Sequence, residues 1–138
     1  GTGDVALTVL QSIPVNGVIM VSTPQPMVSM IVSKAVNMCR QLKIRVLGVV
    51  ENMSYFEHKG ERLKIFGEGG GERVSLQLSQ NLGYEVPLLA QLPLEPELRE
   101  TGEAGRPAVL TEEGALRTDG LGATFRQLAE SLMRVPLR

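Results

Sequence analysis

The chain has 138 residues, 43% hydrophobic and 21% charged, the size and balance of one globular domain with a real core. Its net charge of -1, with 14 Lys and Arg scattered along the chain, excludes the basic footprint of a nucleic-acid binder. No apolar run approaches the roughly 20 residues of a membrane span, and nothing resembles a signal peptide. With Cys39 as the single cysteine there is no internal disulfide, so the expected compartment is the cytoplasm, with no nucleic-acid or membrane partner. The absence of Trp, with two Tyr and three Phe, leaves a core of Val, Leu, Ile and Met, which suits a sheet covered by helices.

The chain opens abruptly on Gly1-Thr2-Gly3-Asp4 with no strand ahead of it, the look of a fragment. Asp4 is placed to cap a short helix through Gln11, and Pro14, Asn16 and Gly17 then turn the chain. Val18 to Ser22 is a nearly unbroken apolar run, the pattern of a strand buried on both faces, stopped by Thr23-Pro24-Gln25-Pro26. From Met27 to Lys43 the apolar positions, Val28, Ile31, Ala35, Met38, Cys39 and Leu42, recur at helical spacing. Val46 to Val50 is a second buried strand leading into Glu51-Asn52-Met53-Ser54. Strand, amphipathic helix and strand make a parallel βαβ unit with a right-handed crossover.

A β-ribbon is predicted next, pairing Ser54–Phe56 with Leu63–Phe66 across a turn at His58-Lys59-Gly60. Gly69-Gly70-Gly71 precedes a helix from about Glu72 to Leu82, with Gly83 as its C-terminal cap. Pro87 to Leu92 reads as a third strand closed by Pro93-Leu94-Glu95-Pro96. Pro96 starts a short helix through about Glu103. Leu121, Phe125, Leu128 and Leu132 mark a closing helix over about 118–134. The fold class is therefore α/β, half of a doubly wound, mainly parallel sheet with a small ribbon near 54–66. In such sheets ligands bind beyond the carboxyl ends of the strands, here Thr23–Pro26, Glu51–Ser54 and Pro93–Glu95.

Single residues are ambiguous. Asn52 follows a strand where an amide can donate and accept at once, as a purine edge requires, but taken alone a local turn explains it better. Pro93-Leu94-Glu95 is, alone, a strand terminus. Gly69–Gly71 lacks the G-x-x-x-x-G-K-S/T spacing of a phosphate loop, so a turn giving clearance to a neighbour is the better reading. His58 stands in a predicted turn without a second His or Cys nearby, so no metal site is expected there. Cys39 falls on the apolar face of its helix as a buried thiol, and Met27, Met30 and Met38 are read as helix-packing residues. No Ser/His/Asp or Cys/His catalytic set can be assembled.

The order and wording of the segments are more specific. The strings GTGDVALTVLQSIPVNGVIMVSTPQ, VLGVVENMSYF, IFGEGGGER and LPLEPELRETGEAGRP closely resemble the Mrp-type (ApbC-like) ATPases. These belong to the deviant P-loop group that also holds MinD and the nitrogenase iron protein. The similarity runs over residues 1–109, with a generic closing helix after it, so the resemblance implies that residues 1–138 are the C-terminal half of a P-loop ATPase domain. It makes Gly1 the switch glycine whose N–H approaches the γ-phosphate, and Thr2 to Asp4 the start of the mobile switch. A glycine there lets the backbone come close. The resemblance also assigns Asn52 to adenine recognition and Pro93 and Leu94 to the other side of the base, with Glu95 in place of the commoner Asp.

Two departures from the family pattern bear on function. The phosphate-binding loop, its lysines and the Walker B Asp would all precede Gly1, so this chain alone is expected not to hydrolyse ATP, whose triphosphate and Mg²⁺ rest on those groups. The family's Cys-x-x-Cys, which in a dimer holds a bridging 4Fe–4S cluster, is replaced by Glu57-His58-Lys59. The resemblance implies an ATP-binding iron–sulfur cluster carrier or assembly protein, a homodimer with nucleotide at its interface, serving apo iron–sulfur client proteins. The alternatives are a MinD/ParA-like regulatory ATPase and a non-catalytic dimerisation or binding module.

Overall fold

The structure, a computed structural model, describes residues 3–25 and 28–136, the side chains at 28, 29 and 31 excepted. In chain order the elements are α1 (Asp4–Ser12), β1 (Val18–Ser22), α2 (Val28–Leu42), β2 (Val46–Glu51), β3 (Phe56–His58), β4 (Glu61–Leu63), α3 (Gly70–Leu82), β5 (Leu88–Gln91), α4 (Pro96–Glu103) and α5 (Gly120–Arg134). The α/β alternation is the one the sequence predicts. Strands β1, β2 and β5 form a parallel sheet in that order, and β3 pairs with β4 in a separate antiparallel ribbon.

Residues of α2, β2 and α3, with Val86 from the segment before β5, meet in one buried cluster, Val32, Val36, Cys39, Val46, Val49, Val74, Leu78 and Val86, with Val18, Met20 and Leu88 packed against it. Val46 and Val49 reach the same core despite their odd spacing because the β1–β2 register shifts between Val18 and Ile19. Val86 is fully buried, and its backbone is satisfied by two hydroxyls of α3. Its N–H donates to Ser79 Oγ at 2.9 Å and its carbonyl accepts from Ser75 Oγ at 2.5 Å. The left-handed Gly83 closes α3, as its sequence position predicts.

Several boundaries differ from expectation. Asp4 does not cap α1: Gly3 holds the cap position, and Asp4 is the first helical residue. β1 is not buried on both faces; it is the last strand of the sheet, and Val21 is 67% exposed. The ribbon strands lie nearer the turn than predicted. Lys59 and Gly60, both at positive φ, form a two-residue turn that pairs His58 with Glu61 and Phe56 with Leu63. Met30 is 59% exposed and is no packing residue, while Met27 lies outside the described residues.

Leu78 lies at the centre of the core with no exposed surface. Leu78→Ala is expected to cost about 2–5 kcal/mol, read as a lower urea midpoint at unchanged slope. A loss below about 1 kcal/mol would show that α3 does not anchor the sheet.

Candidate functional site

The carboxyl ends of the three parallel strands line up in one row, Ser22 beside Glu51 and Glu51 beside Gln91. Beyond that row the backbone ladder continues into the loops. Asn52 N–H donates to the Ser22 carbonyl at 2.7 Å, and Leu92 N–H to the Glu51 carbonyl at 2.8 Å. Ser54 N–H then donates to the Leu92 carbonyl at 2.9 Å, and Leu94 N–H to the Tyr55 carbonyl at 2.7 Å. These bonds fasten the segment after β2 to the segment after β5, so Asn52 and the Pro93-Leu94 pair stand on adjoining loops at one sheet edge.

Asn52 is half-buried, and its Oδ1 accepts from the N–H of Met53 at 2.9 Å, with Met53 held at φ 53°. That bond fixes the side chain while leaving one lone pair of Oδ1 and the amide N–H groups without a partner among the described residues. Leu94 is 38% exposed, an apolar surface beside that amide's loop. Gly1 and Thr2, the remaining predicted nucleotide-contacting residues, lie outside the described residues.

The residue that organises this edge is one the sequence did not single out. Glu51 is 1% exposed. Its carboxylate accepts from Ser54 Oγ at 2.5 Å, from Gln91 Nε2 at 3.1 Å and from the backbone N–H of Gly71 at the start of α3. Burial alone would push the carboxyl up, but the hydrogen bonds from Ser54, Gly71 and Gln91, with the positive charge of Lys64, outweigh it and hold the group below its ordinary range. A polar cavity of about 390 Å³ opens beside it, lined in part by Lys64, Glu72 and Arg73.

The glycine run before α3 provides clearance, as its sequence reading proposes, and the helix starts at Gly70, two residues earlier than predicted. A Cβ on Gly70 would meet the carbonyls of Thr23 and Pro24 at 2.6 Å, and one on Gly71 would meet the Glu51 side chain at 2.8 Å. Only bare backbone lets the α3 N-terminus reach both the end of β1 and the carboxylate.

Cys39 is 2% exposed in the core, and burial pushes its thiol up. His58 is exposed at the end of β3, its ring stacked on Phe56 at 6.2 Å. Among the described residues no group of three or more His, Cys, Asp or Glu is gathered to hold a metal ion.

Because the Glu51 carboxyl is held below its unfolded value, its stabilisation is complete above the ordinary value of 4.5 and is lost as pH falls through the lower folded value. Glu51→Gln is therefore expected to cost about 1–3 kcal/mol at neutral pH, with the gap to wild type narrowing in acid. Urea melts at several pH values measure this, and equal stability at pH 7 would refute it. Gly70→Ala is expected to destabilise as well, since all three nearest atoms it meets are backbone and cannot yield as a side chain can.

Comparison with known proteins places this geometry. A family model described as "ParA: NUBPL iron-transfer P-loop NTPase" matches residues 1–133, which takes in the closing helix. The iron-sulfur cluster carrier protein of Mycobacterium leprae is 42% identical over 94% of this chain and 36% of its own length. The proteins of that name from Deinococcus radiodurans and Pyrococcus horikoshii are 40% and 41% identical, over 35% and 42% of their lengths. The chain thus spans roughly a third to two fifths of these relatives. A solved nucleotide-binding protein of Archaeoglobus fulgidus, in complex with ADP, superposes with a TM-score of 0.62 at 41% identity, over 77% of this chain and 42% of that one. A parallel sheet with an adjoining ribbon, matched by sequence over nearly its whole length, identifies the chain as a member of the NUBPL iron-transfer P-loop NTPase family.

Proposed function

We propose that this chain is the adenine-reading, nucleotide-responsive portion of an ATP-dependent iron–sulfur cluster carrier of the Mrp type. The observation that carries the reading is the joining of the β2 and β5 loops, which sets the Asn52 amide and Pro93-Leu94 on one edge. The amide donates and accepts toward a purine edge, Pro93 and Leu94 wall the base, and the Glu51 knot keeps both loops in place. Gly1 and Thr2 belong to the switch that senses the γ-phosphate. ATP, when bound, supplies the phosphate whose presence or loss resets that switch, with Mg²⁺ and the hydrolytic groups provided by a P-loop half.

β1 is an edge strand of the sheet, and Val5 and Val9 of α1, with Ile13 just past its end, are exposed apolar residues at four-residue spacing. A P-loop half drawn from the remaining length of the relatives is the natural cover for both. We assign the assembled protein to the cytoplasm as a homodimer that hydrolyses ATP and serves apo iron–sulfur proteins. Among the described residues no helix is long and apolar enough to cross a membrane.

The cluster is cargo, and these residues do not fit it. The ribbon where the family's cysteine pair would stand carries His58 but no thiol, and Cys39 is enclosed in the core. The thiolates that hold the cargo therefore belong outside this chain, and the part assigned here is nucleotide response alone.

Calorimetry on the full-length protein tests the reading. ATP should bind, and Asn52→Ala should weaken it about tenfold, the order of one lost charge-free hydrogen-bonding pair, while erasing preference for ATP over GTP. Unchanged affinity and selectivity in the variant would remove Asn52 from the site, and no ATP binding at all would remove the reading. Anaerobic loading with iron and sulfide, followed by visible absorbance, tests the cargo separately.

A further inference from the structure

The opposite end of the sheet carries a second concave site. Arg45 directly precedes β2 and Pro87 directly precedes β5, so both stand at the amino ends of the strands, away from Asn52 and Pro93. A cavity of about 380 Å³ opens there, within the usual range for small-molecule sites. Its floor is apolar, made by Pro87, Leu88, Leu89 and Val135, and its polar lining includes Arg45, Arg134 and Glu85.

The two arginines have no carboxylate partner among the described residues, whereas Arg99, Arg106, Arg117 and Arg126 all do. Arg45 sits over the Tyr84 ring, its Cζ 4.1 Å from the ring centre. Tyr84 is itself fixed, its hydroxyl accepting from Val46 N–H at 3.0 Å. The guanidinium is thus held in place before any ligand arrives; its Nε is shut off from solvent without an acceptor, so it is the Nη groups that can meet a ligand in the open cavity. An arginine held over a ring with its Nη donors free of carboxylates is arranged to receive an oxyanion.

Two effects oppose an anion here. Glu85 contributes one negative charge, and the carboxyl end of α5, where Arg134 sits, contributes about half a negative charge. Two guanidinium groups exceed their sum, leaving a small positive surplus. That surplus matches a monoanion better than a phosphate dianion, and the apolar floor asks for a hydrocarbon tail.

We propose that this cavity binds a small monocarboxylate with an apolar tail, its carboxylate between Arg45 and Arg134 and its tail on Pro87, Leu89 and Val135. The site stands independently of the nucleotide reading, since none of its residues belongs to that edge. The structural alternative is a solvated pocket in which Glu85 swings onto one of the arginines.

Octanoate titrated into the full chain, followed by calorimetry and amide NMR, decides between them. Expected are saturable binding at one site, shifts confined to the segments around Arg45, Pro87 and Arg134, and at least tenfold weaker binding in Arg134→Gln. That residue is exposed, so the variant should keep the wild-type melting temperature. Arg45→Lys, which retains the charge and loses the planar fork, should also bind more weakly. Octanol and inorganic phosphate should each bind more weakly than octanoate. Octanol binding as tightly as octanoate, unchanged octanoate affinity in Arg134→Gln, or no saturable binding would each overturn the proposal.

Discussion

The carboxylate of Glu51 is the constraint on which the rest of this edge depends. A charge withdrawn from water costs several kcal/mol unless its lone pairs are filled. Here they are filled from three directions, by Ser54 in the following loop, Gln91 at the end of β5 and Gly71 at the head of α3. Each donor can reach only if its own element is in place, so one buried group sets the relative position of two strand ends and a helix. The side-chain-free approach of Gly70 and Gly71 follows from the same requirement. Any larger residue would hold the α3 N-terminus away from β1 and from the acceptor.

That geometry also explains why Asn52 is so sharply placed. Its backbone is fixed on one side by the Ser22 carbonyl, and its neighbour Glu51 is fixed by the knot. On the proposed reading the amide would lose little conformational entropy on meeting a base, because the loop that carries it is already ordered by folding. Leu94 is tied to the same loop through Tyr55, so both residues are positioned by the sheet rather than by loop packing.

The elements were legible where one periodicity dominates. The apolar spacing of α2 and α5 and the continuous run of β2 leave few alternatives, and Gly83 marks the end of α3 through its left-handed backbone. The burial of β1 was not legible, because Val18–Ser22 reads the same whether a strand is central or at an edge. The ribbon strands were placed about two residues too far from the turn, because the dihedrals of Lys59 and Gly60, not the apolar pattern flanking them, let pairing begin at His58 and Glu61. Glu51 escaped notice because its partners stand 3, 20 and 40 residues away, and no local spacing announces such a set. Asn52, Pro93 and Leu94 came from family resemblance; chemistry alone favoured a simple turn for the first.

The two ends of β2 are held by the two ends of α3. Gly71, in the helix's first turn, donates to Glu51 at the last residue of the strand, while Tyr84, just past the helix's Gly83 cap, accepts from Val46 at the first. The lengths agree: 13 helical residues at about 1.5 Å each and 6 strand residues at about 3.3 Å each both come to about 20 Å. Val74 and Leu78 of the helix and Val46 and Val49 of the strand fill the space between these two fastenings. α3 is thus a strut matched to the strand it spans, and it cannot slide along its axis without loosening either the carboxylate knot or the tyrosine bond. The polar edge that carries Asn52 and the arginine-lined cavity at the other end of the sheet are therefore opposite terminals of one rigid pair of elements.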